Sequence, residues 1–269
     1  MNTTLNRTLK GLAIAAVCWM TTSAQAQVLY SQSFTNATGA TSGVSMAGWN
    51  AYIGANAVNV TGPGSVAALT AGNSVTMPNK TGNPNTSNGF LQFYNGENTG
   101  LVSQSFSAVV TGLNLNLTSG TSMISWKMNT SLATSQELRL LVQVGGAWYV
   151  TNSTFAQTAL SQSTAGNFDV ADTGSFLFST AASTWSAFTL IGNSSSSVAD
   201  GTMAIGATQT LDLSSSTITG IGFYAAVSTR YNILRIDSLE VNAVPEPSSL
   251  MLLLGASGML GMGLRRRRV

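Results

Sequence analysis

Between two apolar runs, 138–144 (LRLLVQV) and 147–151 (AWYVT), the chain has only Gly145 and Gly146. So short a connection joins antiparallel strands through a turn whose residues take positive φ, which glycine does without steric cost. The two runs are therefore expected as a β-hairpin. Short apolar runs bounded by Gly, Asn and Ser recur at 28–34 (VLYSQSF), 89–94 (GFLQFY), 101–106 (LVSQSF), 123–128 (MISWKM), 184–190 (TWSAFTL), 218–227 (ITGIGFYAAV) and 233–241 (ILRIDSLEV). No stretch between 27 and 243 carries a convincing 3.6-residue helical period. The pattern predicts an all-β fold, an antiparallel β-sandwich. The segment 38–87 is the least regular and is expected as long loops at one end of the sandwich.

Residue types narrow the chemistry. The chain has no histidine, and its one cysteine is Cys18. Nucleophile–base pairs built on His or Cys are unavailable, as are zinc sites of the Cys/His kinds. No glycine-rich stretch has the pattern of a nucleotide-binding loop. Between 27 and 243 five basic residues (Lys80, Lys127, Arg139, Arg230, Arg235) face eight acidic ones (Glu97, Glu137, Asp169, Asp172, Asp200, Asp212, Asp237, Glu240), a balance of −3. The +2 of the whole chain comes from its ends, and the body offers no basic patch to nucleic acid. A glycosidase needs two carboxyl groups across the scissile bond. Glu97, Glu137, Asp169, Asp172 and Glu240 are the candidates, and no spacing among them marks a pair.

Two further clusters are candidate binding sites. Asn167, Asp169 and Asp172 (NFDVAD) gather oxygen ligands on an expected loop, and Ca²⁺ takes oxygen ligands. Asn and Asp are also common turn and cap formers, and that role is the favoured reading of them. Trp49 and Tyr52 lie in the irregular segment and are the aromatic residues to test first for stacking on a sugar, with core packing the favoured role even for these. Trp126, Trp148, Tyr149, Trp185, Phe223 and Tyr224 belong to strands, where aromatic side chains pack the inside of sandwiches. Trp148 and Tyr149 are adjacent and must point to opposite faces.

The ends carry addresses. Arg7 and Lys10 precede an apolar run, 11–20, and then Ala24-Gln25-Ala26, in the order of a secretory signal peptide, 1–26. Cleavage by signal peptidase would start the mature body at Gln27 and remove Cys18. At the other end, Val244-Pro245-Glu246-Pro247 precedes 17 uncharged residues, 248–264, and then Arg265, Arg266, Arg267 and Arg268. As a helix those 17 residues reach about 25 Å, short of the roughly 30 Å hydrocarbon core. Bilayer thinning and snorkelling arginines make up the gap. The four arginines stay in the cytoplasm by the positive-inside rule and act as a stop. The expected organisation is thus a signal peptide 1–26, a β-sandwich 27–243, and an anchor segment 244–269 with a transmembrane helix at about 248–264.

Pro-Glu-Pro, apolar run and arginine cluster together closely resemble the PEP-CTERM sorting signal. The resemblance implies recognition by an exosortase, a membrane-embedded processing enzyme of Gram-negative bacteria. The precursor is held in the inner membrane with its body in the periplasm. The body then passes to the cell surface or extracellular matrix, where such proteins accompany exopolysaccharide and biofilm. The body itself loosely resembles a jelly-roll of the lectin or carbohydrate-binding-module type, by strand pattern and the closing RIDSLEV strand. That resemblance implies a sugar groove and a structural calcium, for which Asp237 becomes a further candidate ligand. The expected function is a structural or adhesive matrix protein, not an enzyme. The alternatives are a carbohydrate-binding module, calcium-dependent or not, and a glycoside hydrolase.

Overall fold

The computed structural model describes residues 26–35, 42–54, 58–60, 74–77, 89–96, 104–130, 136–157, 172–192, 202–227 and 232–243. Among them are fifteen strands: β1 (Gln27–Gln32), β2 (Ser42–Gly43), β3 (Asn50–Ile53), β4 (Val58–Val60), β5 (Ser74–Met77), β6 (Leu91–Asn95), β7 (Gln104–Asn116), β8 (Met123–Thr130), β9 (Gln136–Val144), β10 (Ala147–Thr151), β11 (Asp172–Leu177), β12 (Trp185–Ile191), β13 (Thr202–Thr208), β14 (Thr217–Val227) and β15 (Asn232–Ala243). They form two sheets. The smaller has the order β11-β8-β15-β6-β5-β2, with β1 also paired to β15. The larger has the order β13-β12-β10-β9-β14-β7-β3-β4. Neighbours along both paths run antiparallel. Val28–Asn242 form one compact unit.

Both address segments fall at the margins of what is described. Of the expected signal peptide only Ala26 is included, and Gln27 opens β1; Ala24 lies outside the described residues. So do Val244, Pro245, Glu246 and Pro247, the apolar run 248–264 expected as a transmembrane helix, and Arg265, Arg266, Arg267 and Arg268. Among the described residues no helix is long and apolar enough to cross a membrane.

Period-two alternation builds the core. Ile221, Phe223, Ala225 and Val227 of β14 and Leu138, Leu140, Val142 and Val144 of β9 point inward from the larger sheet. Ile124, Trp126 and Met128 of β8 and Leu234 and Ile236 of β15 do so from the smaller. A line of ring contacts runs through this interior. Phe34 meets Trp49 edge-on at 5.0 Å, Trp49 stacks with Phe223 at 6.4 Å, and Phe223 meets Trp126 edge-on at 5.2 Å. From Trp126 it continues through Phe155 and Phe176 to Trp185. Edge-to-face pairs of this kind add about 0.5–1.5 kcal/mol each beyond the area they bury. Gly174 of the edge strand β11 lies directly on the Trp126 indole, where any Cβ would collide.

A bulge in β15 keeps its register. Asp237 faces Lys127 of β8, but Glu240, three residues on, faces Ser125, two residues back, so β15 has one residue extra. Ser238 takes φ 52°. Without the extra residue Ser238 and Glu240 would point into the core. With it Leu239 and Val241 do, both fully buried. The sequence IDSLEV carries the trace: two polar residues in a row where strict alternation allows one.

The β9–β10 hairpin forms at Gly145 and Gly146, with φ 58° and 84°. Two expectations need correction. The segment 38–87 is not only loop: β3 joins the larger sheet beside β7, and β5 joins the smaller beside β6. Its short strands lack a long alternating run, so their pairing partners rather than their own sequence hold them extended. The strand expected at 101–106 runs instead to Asn116 as β7, because Ala108, Val110 and Leu115 go on packing into the core.

Candidate functional site

The outward face of the larger sheet is concave. Phe188 of β12 and Tyr224 of β14 have ring centroids 5.6 Å apart, although β10 and β9 lie between their strands. At about 4.8 Å per strand spacing, a flat sheet would hold them roughly 14 Å apart. More sharply, the Ser107 hydroxyl of β7 donates to the Met203 thioether of β13 at 2.9 Å, across the strands that separate them in the sheet. The β12–β13 hairpin therefore curls back over the face. Val109, Leu141, Val150, Phe188 and Met203 fill the hollow, and Tyr52, Trp148, Leu190 and Tyr224 pack on them half-buried.

Glycine makes room for this. Gly220 of β14 shares a row with Gln143 and Trp148. A Cβ at Gly220 would sit 2.9 Å from the Trp148 ring and 2.8 Å from the Val110 carbonyl. Polar groups lie beside the aromatic ones. Tyr224 and Ser105 share a hydroxyl hydrogen bond of 3.1 Å. Arg139 pairs with Glu137 and donates to the carbonyls of Thr151 and Asn152, each at 2.8 Å. Burial raises the Tyr52 phenol above its ordinary pKa. It raises the Tyr224 phenol too, with the Glu137 carboxylate adding to the rise, against the Ser105 hydrogen bond and the Arg139 charge. Both phenols stay neutral through the physiological range. The face thus offers rings, neutral hydroxyls and one internally matched ion pair.

The two aromatic residues singled out from sequence go different ways. Trp49 is 1% exposed, between Phe34 and Phe223 in the core, with its Nε1–H donating to the Tyr30 hydroxyl. It has no open ring face to offer a sugar. Tyr52 lies on the concave face, opposite Ser107 in register. Trp148 and Tyr149 do point to opposite faces, Trp148 to the concave side and Tyr149 to the core. The contributions of Phe188 and Met203 were not foreseen. Alternation in WSAFTLI places Phe188 and Leu190 on one face, but nothing local reports the curvature that brings Met203 to Ser107.

Of the oxygen ligands considered for calcium, Asn167 and Asp169 lie outside the described residues. Asp172 opens β11 opposite Met128, on the face that also carries Ile236. Asp237 faces Lys127 on the other side of the same sheet and is 1% exposed. The registers thus separate these two carboxylates, and no group of three or more His, Cys, Asp or Glu forms among the described residues. Glu137 and Glu240 belong to different sheets.

Several solved structures are weakly similar to this chain. The CBM22-1 xylan-binding domain of Paenibacillus barcinonensis Xyn10C is similar at 11% identity and a TM-score of 0.35, over 81% of this chain and 96% of that one. The family 11 carbohydrate-binding module of the Clostridium thermocellum cellulase Lic26A-Cel5E is similar at 12% identity and a TM-score of 0.37, over 81% and 94%. The K1 cleaved adhesin domain of Porphyromonas gingivalis Lys-gingipain is similar at 17% identity and a TM-score of 0.35, over 80% and 97%. Likenesses of this size say nothing about what this chain binds. No curated protein matches it. One family model does, and only at the tail: residues 243–268 carry the PEP-CTERM protein-sorting motif.

Proposed function

We propose that the protein is an exported surface or matrix component, held briefly in the inner membrane by its tail and processed by an exosortase. In this reading Val244, Pro245, Glu246 and Pro247 present the processing site. Arg265, Arg266, Arg267 and Arg268 hold the tail on the cytoplasmic side. The body plays a structural or adhesive part in an exopolysaccharide matrix and does no chemistry. The observation that carries this is the sorting-motif match at 243–268. The test is intact mass and fractionation of the protein from its host, beside a variant with Pro245, Glu246 and Pro247 all changed to alanine. The native chain is expected outside the cell, starting near Gln27 and ending near Val244, with the variant in the inner membrane at full C-terminal length. Both chains staying membrane-bound and uncut would overturn the proposal.

A second reading is a polysaccharide-binding module. It is favoured by one observation, the three aromatic side chains Tyr52, Trp148 and Tyr224 on a single concave face. Rings stack on the apolar faces of sugars, and hydroxyls such as Ser105 suit a neutral ligand. Tyr52→Ala and Tyr224→Ala should each weaken saturable binding in gels cast with polysaccharide, with or without a calcium chelator. Trp49→Ala should act only through stability. Binding indifferent to both tyrosines excludes this face. Release of reducing ends from the same polysaccharides would overturn the assignment of a non-catalytic role.

A further inference from the structure

The two sheets end in edges that are not protected alike. A free edge presents unpaired N–H and C=O groups to any strand that can reach them, and proteins blunt such edges with charge, proline or shortness. β2 has two residues and β4 three. β11 opens with Asp172 and keeps Gly174 buried against Trp126. β1 has the turn Val44–Trp49 against it, through Gln32 to the Ala47 carbonyl and Tyr30 to Trp49. Among the described residues β13 has none of these devices. Its seven residues, TMAIGAT, include no charge and no proline, and all but Met203 are exposed, on both faces of the strand. β12 beside it is also uncharged.

We propose that β13 is a self-association edge, and that its partner is β13 of a second copy of this chain. An edge paired with itself about a two-fold axis perpendicular to the sheet is antiparallel by symmetry, which continues the pattern of the whole sheet. No like charges meet across such a pair. The pairing with β12 is regular from Thr202 to Ile205, and the bulge falls beyond, between the partners of Phe188 and Ser186. A two-fold at Ala204 uses the regular stretch. It sets Met203 of each chain beside Ile205 of the other, covering Ile205, one of the large apolar side chains left exposed. The result is a single sheet running through two molecules.

Cysteine placement tests this directly, because Cys18 is the chain's only thiol. In protein purified from its host with Cys18→Ser, Ala204→Cys places two sulfurs across the axis. Opposed antiparallel residues have Cα atoms about 4.5–5.5 Å apart, within the span of a disulfide. The expected results are a dimer for the unmodified chain in sedimentation and a disulfide-linked dimer for Ala204→Cys under mild oxidation. Ala204→Lys should give monomers only, with the circular dichroism spectrum of the native fold unchanged. Thr173→Cys, exposed on β11, should cross-link far less. A monomeric native chain, a dimer that survives Ala204→Lys, or equal cross-linking at Thr173→Cys would each overturn the proposal.

Discussion

On the outward side of the smaller sheet, Arg235, Asp237 and Asn129 are buried; on the outward side of the larger sheet, Val109, Leu141, Val150, Phe188 and Met203 are. Both sheets hide residues on the side away from the core, by different physical routes. The larger sheet curls until its own edge hairpin closes on its middle, so apolar surface leaves water and the burial stabilises. The smaller sheet holds a guanidinium beneath the Phe90 ring, 5.6 Å from its centroid, with one long hydrogen bond of 3.4 Å to Asn129. Among the described residues the Arg235 Nε and Asn129 Nδ2 have no hydrogen-bond partner. Desolvation lowers the Arg235 pKa to about 10, because burial disfavours its charged form. Equal burial therefore stands for a gain in one sheet and a cost in the other.

That contrast breaks if substitutions on the two faces act alike. Phe188→Ala empties the curled face and should lower stability by about 3 kcal/mol in urea unfolding. A loss under about 1 kcal/mol would mean the hairpin does not hold the face closed. Arg235→Met keeps the bulk without the charge and should raise stability by about 1 kcal/mol. A large loss would instead make the guanidinium a necessary tie. Ser238→Gly relieves the positive φ of the β15 bulge and should gain about 0.5 kcal/mol, while Ser238→Val should lose more than that.

The smallest effect concerns alkaline pH, where the two faces oppose each other. Burial lowers the Arg235 pKa to about 10 in the folded chain, below its unfolded value. Across that window the unfolded chain binds more protons, so this group adds stability as pH rises. The buried phenols of Tyr52 and Tyr224 have folded pKa values raised above 10. The folded chain binds more protons there, so their contribution is lost as pH climbs past 10. Tyr52→Phe with Tyr224→Phe should flatten the alkaline fall in melting temperature, and Arg235→Met should steepen it.

The sequence made the elements legible where a strand carries its own reason. LRLLVQV-GG-AWYVT contains both the alternation and the turn, and ITGIGFYAAV packs along its whole length. It failed where the reason lies elsewhere. β11 (DTGSFL) and β13 (TMAIGAT) are poor in large apolar residues, and their extension comes from pairing with β8 and β12. The same division holds at the site. Opposite faces for Trp148 and Tyr149 follow from period two alone. The burial of Trp49 depends on Phe34 and on Phe223, which is distant in sequence. The hollow depends on curvature, which accumulates across the whole sheet and is written in none of its strands.

The smaller sheet is closed by the last strand among the described residues. β15 stands between β8 and β6 and also carries β1, so three pairings wait for residues 232–243. Such distant contacts fold slowly, because a long loop must close before they return any energy. A body exported from its N-terminus would emerge with β1, β6 and β8 made and their shared neighbour still missing. The strand that completes it ends at Ala243, with Val244 and the sorting motif next in line. On the proposed route, order of synthesis makes maturity and exit nearly simultaneous: the sandwich becomes whole only as the last of it reaches the far side of the membrane.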